Sequence, residues 1–166
     1  MFLSILNVRF LKTNSGKKGE GMPVVRNQMF YFKEGFCWSD INTTFLKCRK
    51  KNKSIHDVKS MTLFSKVESV PEYYIISIIN SSFISYYVSN FLNNTQTFQI
   101  NDARMLPIIV PSEKELIYFK KIFQEAYSHQ IIKQKKQYKR NNEICSNLNI
   151  QETLDNAVNS LYLQML

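Results

Sequence analysis

The chain has 166 residues, 44% of them hydrophobic and 13% aromatic, with a formal net charge of +9. That is enough apolar material to offset the ordering entropy, so the chain is expected to fold around one core, with room for a helical appendage but not for two ordinary domains. Three cysteines, Cys37, Cys48 and Cys145, form no CxxC pair and no zinc spacing with His56 and His129, and their odd number argues against a disulfide framework.

In chain order, residues 2–12 alternate loosely and predict a strand, followed by the Gly- and Lys-rich loop TNSGKKGEG. That loop lacks the GK[ST] ending of a phosphate-binding loop, and Pro23 with a β-rich stretch follows it instead of a helix. Residues 24–33 and 36–41 are β-branched or aromatic around a turn at Gly35 and predict a hairpin or two successive strands. LKCRKKNKS shows no apolar periodicity and predicts an exposed basic loop, and MTLFSKV a further strand. Pro71 opens EYYIISIINSSFISYYVSNFLN, apolar around nearly its whole circumference, which predicts one long buried helix. Two short strands, 97–100 and 105–110, are expected around an NDAR turn. Ser112 then caps a helix, with Glu115 closing a capping box.

That helix carries Leu116, Phe119, Ile122 or Phe123, Ala126 and Ile131 on one stripe and lysines opposite. After the polar stretch NNEICSN comes a last amphipathic helix, IQETLDNAVNSLYLQML, with an acidic start. The expected architecture is therefore α/β in the α+β sense. A small mixed sheet with a buried helix occupies residues 1–112, and an antiparallel helical arm occupies 113–166. No run of about 18 apolar residues is available to span a membrane, and the apolar start lacks the basic region and cleavage site of a leader, so a cytoplasmic chain with reduced thiols is expected.

Charge is unevenly distributed. Residues 1–66 hold 13 Lys/Arg against 4 acids and 113–140 hold 8 against 3, whereas 67–112 hold 1 against 3 and 141–166 none against 3. Two basic blocks favour nucleic acid or an anionic surface; the competing reading is a solvated face that keeps the chain soluble. Within the blocks, Lys12, Lys17, Lys18, Arg26, Lys47, Arg49, Lys50, Lys51, Asn52 and Lys53 are the candidate contacts to phosphates or bases.

Catalytic constellations are not found. His56–Asp57 is the one adjacent His/Asp pair, on a segment where neighbouring side chains diverge, and His129 falls near the polar face of the basic helix. Glu113, Lys114 and Glu115 approach a nuclease-like Glu-x-Lys, but helix capping accounts for them. No metal site and no cofactor site is expected.

YFKEGFCWSDI (31–41), INSSFISYYVSNFLNNTQTFQINDARMLPIIVPS (79–112) and IQETLDNAVNSLYL (150–163), in that order, resemble the C-terminal specificity, or target-recognition, domain of bacterial restriction-modification methyltransferases of the type IIG group. They are also similar to half of a type I specificity subunit. The matching positions are Gly35, Trp38 and Ser39; Asn80 and Ser81; Asn94, Thr95, Phe98, Gln99 and Asp102; Leu106, Pro107, Ile108 and Pro111; and Leu161 with Tyr162. The resemblance implies a non-catalytic module for sequence-specific double-stranded DNA recognition in phage defence. It further implies that the S-adenosylmethionine fold and its Asn-Pro-Pro-Tyr/Phe motif lie elsewhere, since no Asn-Pro dipeptide occurs here.

The partners so implied are DNA, a methyltransferase or restriction subunit docked on the arm, and a second copy pairing through it. The alternative is an assembly subunit whose charge serves solubility. Locally, Trp38 reads as a core anchor rather than a stacking platform, Asn80 and Ser81 as caps of a bend, Asp102 as a turn closer, and Pro107 and Pro111 as limits of an edge strand.

Overall fold

A computed structural model describes residues 27–42, 45–55, 60–137 and 147–164. The strand expected over 2–12 and the Gly-Lys loop lie outside them. The fold is mixed: a three-stranded antiparallel sheet packed against helices. Its strands are β1 (Gly35–Ser39), β2 (Cys48–Lys51) and β3 (Ser60–Leu63), in the order β2-β1-β3.

β1 sits centrally because it is the apolar strand. Trp38 pairs with Cys48 on one side and Met61 on the other, and all three are buried. Gly35 opens it for a steric reason: a Cβ there would lie 2.6 Å from the Leu63 carbonyl oxygen and 2.8 Å from the Phe64 ring. The expected exposed loop at LKCRKKNKS is instead the edge strand β2. Its pairing with β1 and the burial of Leu46, Cys48 and Lys51 override a sequence in which charge masks the alternation. Residues 27–33, expected to be extended, form a 3-10 turn at Gln28–Phe30 and a further turn.

The long helix expected after Pro71 is two helices bent by 60°: α1 (Glu72–Ile79) and α2 (Ser82–Tyr87), the latter running into a π-helical turn at Val88–Leu92. No single helix among the described residues is long and apolar enough to cross a membrane. The break is chemically specified. Ser81 is the N-cap of α2, its Oγ accepting from Ile84 N at 3.2 Å and donating to Ile78 O at 2.7 Å, while Ser82 N donates to Asp155. Asn80 leaves the helix to pair with β2: Cys48 N donates to its Oδ1 at 2.8 Å, and its Nδ2 donates to Cys48 O at 2.7 Å. The amide thus closes the outer edge of the sheet as a short extra strand would. Asn80→Ala is expected to cost about 2–3 kcal/mol by urea denaturation, because it leaves both backbone groups without partners.

The two strands expected around NDAR are absent. Thr97 makes only an isolated bridge to Ile41, and Ile100–Arg104 forms a short helix, α3. Asp102 accepts from Gln99 N at 2.8 Å and from Asn93 Nδ2 at 3.0 Å, fixing the entry to that turn. Residues 105–111 run without a ladder, so Pro107 and Pro111 bound no strand. The segment is pinned instead by two hydroxyls: Tyr74 donates to Ile109 O at 2.9 Å and Tyr162 to Pro107 O at 2.5 Å.

Ser112 and Glu115 form the expected capping box, Glu115 accepting from Ser112 N at 2.6 Å. It opens α4 (Glu113–Gln137), and the start of this helix faces the end of α5 (Asn147–Leu163). Phe119 and Ile122 of α4, with Leu154, Val158 and Leu161 of α5, join the same core as Trp38, Tyr74 and Ile84. Beyond Ala126 the apolar stripe reaches the surface, and Ile131 is exposed.

Burial disfavours the ionised form of three groups in this core and raises the pH at which each loses its proton. It pushes the Tyr162 hydroxyl up to about 12, and raises Tyr74 and the Cys48 thiol above their usual ranges. Folding therefore favours the neutral forms, and their contribution to stability is complete below pH of about 8.5 to 10, where the unfolded groups titrate. It is lost as the pH rises through the higher folded-state values. The melting temperature is expected to fall steeply above about pH 10. Tyr162→Phe is expected to soften that fall while costing about 1 kcal/mol at neutral pH, read from melts at stepped pH.

Candidate nucleic-acid interface

β2, the residue before it and the turn after it gather the basic run of residues 47–53 at one edge of the sheet. Lys47, Arg49, Lys50, Asn52 and Lys53 are exposed, and Glu34 is the acid beside them, 3.9 Å from Lys50 Nζ. A lysine- and arginine-bearing strand on a small rigid sheet holds its charges at fixed spacing. That arrangement suits a ladder of phosphates better than a mobile loop does, since less side-chain and backbone entropy is lost on binding.

Lys51 departs from this pattern. It is 5% exposed, and its Nζ donates to Lys33 O at 3.0 Å and Ser54 O at 2.6 Å. An ammonium held by two carbonyls inside the fold is not presented to a phosphate; its role is to clamp the segment before β1 to the segment after β2. Of the remaining sequence candidates, Lys12, Lys17, Lys18 and Arg26 lie outside the described residues.

The clamp shapes a tip that sequence reasoning missed. Phe32 N donates to Ser54 O at 3.1 Å, joining the same two segments. Phe30 stacks on Phe64 with centroids 5.4 Å apart, and Lys33 Nζ lies 5.3 Å above the Phe30 ring. Phe32 and Asn27 take left-handed backbone angles, φ 58° and 54°. Asparagine tolerates that region, and phenylalanine seldom does. No sequence signal marks such a residue, because the usual marker is glycine or asparagine.

The residues matched to the resemblance are structural in this fold. Gly35 and Ser39 bound β1, Ser39 opposite Ser60. Trp38 is fully buried and its Nε1 donates to Phe98 O at 2.8 Å, so it offers no face for base stacking. Asn80, Ser81 and Asp102 hold the bends described above, and the Pro107 carbonyl takes the Tyr162 hydroxyl. Gln99 Nε2 donates to the buried Asp40 carboxylate at 2.8 Å and ties the 97–99 segment to the end of β1.

A cleft of about 230 Å³ between the start of α4 and the end of α5 is lined by Glu115, Tyr118, Phe119, Asn156, Ser160 and Gln164 among others. Its one carboxylate is engaged in the Ser112 cap. Among the described residues no three His, Cys, Asp or Glu side chains are grouped to hold a metal ion. No protein-family model matches the chain, and a search of curated proteins found no match.

Proposed function

We propose that the chain is a non-catalytic DNA-recognition module, of the kind that addresses a restriction-modification or phage-defence methyltransferase to its site. The observation that carries the reading is the edge strand. Lys47, Arg49, Lys50 and Lys53 stand exposed within seven residues, on a sheet anchored by a fully buried tryptophan, in a chain of net charge +9. Neutralising adjacent phosphates releases condensed counterions, so such a strand binds duplex DNA with a strong salt dependence. The resemblance over residues 31–163 supplies the enzyme context. S-adenosylmethionine chemistry would belong to a partner or another domain.

The test is an anisotropy titration of random-sequence duplexes at stepped salt, followed by selection and sequencing of the bound pool. The expected result is weak binding whose log affinity falls by roughly 0.9 per phosphate contacted for each log unit of salt. Binding independent of salt would remove the reading. A second reading, docking on a protein partner through the helical arm, is favoured by Ile117 and Tyr118 of α4 and Leu163 of α5, all exposed. Capture of a methyltransferase by a chain that shifts no DNA would select it.

A further inference from the structure

We propose that Phe32 is an apolar wedge that enters a base step of the bound duplex and unstacks it, with the lysines around it holding the flanking phosphates. The proposal rests on the DNA-binding reading above and names how the bound duplex is deformed.

Three observations converge on this residue. First, Phe32 is 55% exposed with φ 58°, a conformation that costs free energy for any side chain with a Cβ and more for a bulky one. A lone exposed hydrophobic is ordinary. One held in a disfavoured backbone state is not, because glycine there would remove both the strain and the exposed apolar surface. Second, the strain is enforced from two sides, by the bond from Phe32 N to Ser54 O and by the buried Lys51 ammonium bridging Lys33 O and Ser54 O. The ring therefore stands on a rigid tip, and rigidity is what insertion between stacked bases requires. Third, the surroundings match a nucleic acid better than an apolar protein groove. Lys33, Asn52 and Lys53 are exposed on the same two joined segments, with Met29 and Ile55 supplying further exposed apolar surface. Wedge residues in DNA-bending proteins combine an apolar side chain with flanking cations in this way.

The experiment uses the whole chain with short duplexes carrying 2-aminopurine at successive steps, since the fluorescence of that base rises when it is unstacked. The wild-type protein is expected to raise it severalfold at one or two adjacent steps. Phe32→Ala should abolish the rise and weaken binding by on the order of tenfold, the scale of a lost aromatic–base contact, while leaving the salt slope unchanged. Phe32→Leu should retain the rise, because bulk rather than aromaticity does the wedging. Thermal melts of both variants should match the wild type, which separates a lost wedge from a lost fold. Duplex binding with a normal salt slope but no 2-aminopurine response, or one that survives Phe32→Ala, would overturn the wedge and leave the phosphate-binding reading standing. Absence of duplex binding at every salt concentration would overturn both.

Discussion

Trp38→Ala is expected to lower the unfolding free energy by about 3–5 kcal/mol, the cost of truncating a large buried aromatic. The indole is fully buried, meets Phe98 edge-on at 5.4 Å, and donates through Nε1 to the Phe98 carbonyl oxygen at 2.8 Å. Truncation leaves a cavity between the sheet and the 97–99 segment and removes the partner of a buried carbonyl, which adds about 1–3 kcal/mol if no water reaches it. Small domains have only about 5–15 kcal/mol in total, so the variant should be partly unfolded at physiological temperature. Trp38→Phe retains most of the apolar filling and loses the donor, and should fall between the two. Urea denaturation followed by circular dichroism measures both. A cost under about 1 kcal/mol for Trp38→Ala would contradict the buried position. Because Trp38 is paired directly with Cys48, loosening it also loosens β2, so the core change should weaken DNA binding without removing a single cation.

Where the sequence pattern was strong and local, fold and sequence agree. Ser112 with Glu115 three residues on and the apolar stripe from Leu116 to Phe123 are signals set by near neighbours, and each forms as read, whereas Gly35, read as a turn between two strands, is the first residue of β1. The departures have separate causes, and at β2 a distant partner decided the local structure. Cys48–Lys51 is a strand because β1 offers it backbone partners and Asn80 closes its outer edge, and neither can be inferred from CRKK. The apolar run of residues 72–92 suggests one buried helix with a local bend capped by Asn80 and Ser81; those two residues do sit at the break, but the turn is a full 60° between two helices, and Tyr86 and Phe91 beyond it are exposed. α3 is a single capped turn, below the length at which periodicity can be recognised. At the candidate interface the cations were legible as a run. Their directions were not: in the series Lys50, Lys51, Lys53 only the middle one turns inward, because two carbonyls from separate segments await it.

That inward turn separates two kinds of lysine. Neutralising Lys47, Arg49, Lys50 and Lys53 together, each to glutamine, is expected to lower the slope of log affinity against log salt by roughly 3 to 4 units, at about 0.9 per lost phosphate contact. The electrostatic contribution fades toward molar salt, so a slope change of that size corresponds to a loss on the order of 10³-fold at a tenth of molar salt. Lys50 should contribute least, since Glu34 already sits 3.9 Å from it. The fold should tolerate all four changes, because these side chains are exposed and surface substitutions typically alter stability by only about 0.5 kcal/mol.

Lys51→Met should do the opposite. It keeps the buried stem but deprives Lys33 O and Ser54 O of their shared donor, at a cost of about 2–4 kcal/mol by analogy with other charged hydrogen bonds broken in the interior. Its salt slope should stay within about half a unit of wild type, since the lost ammonium faces no phosphate. Anisotropy at stepped salt and urea denaturation on the same two proteins give the comparison. If Lys51→Met changed the slope as strongly as a surface lysine does, the inward clamp would be wrong; if the quadruple variant kept its slope, DNA would not be held along β2.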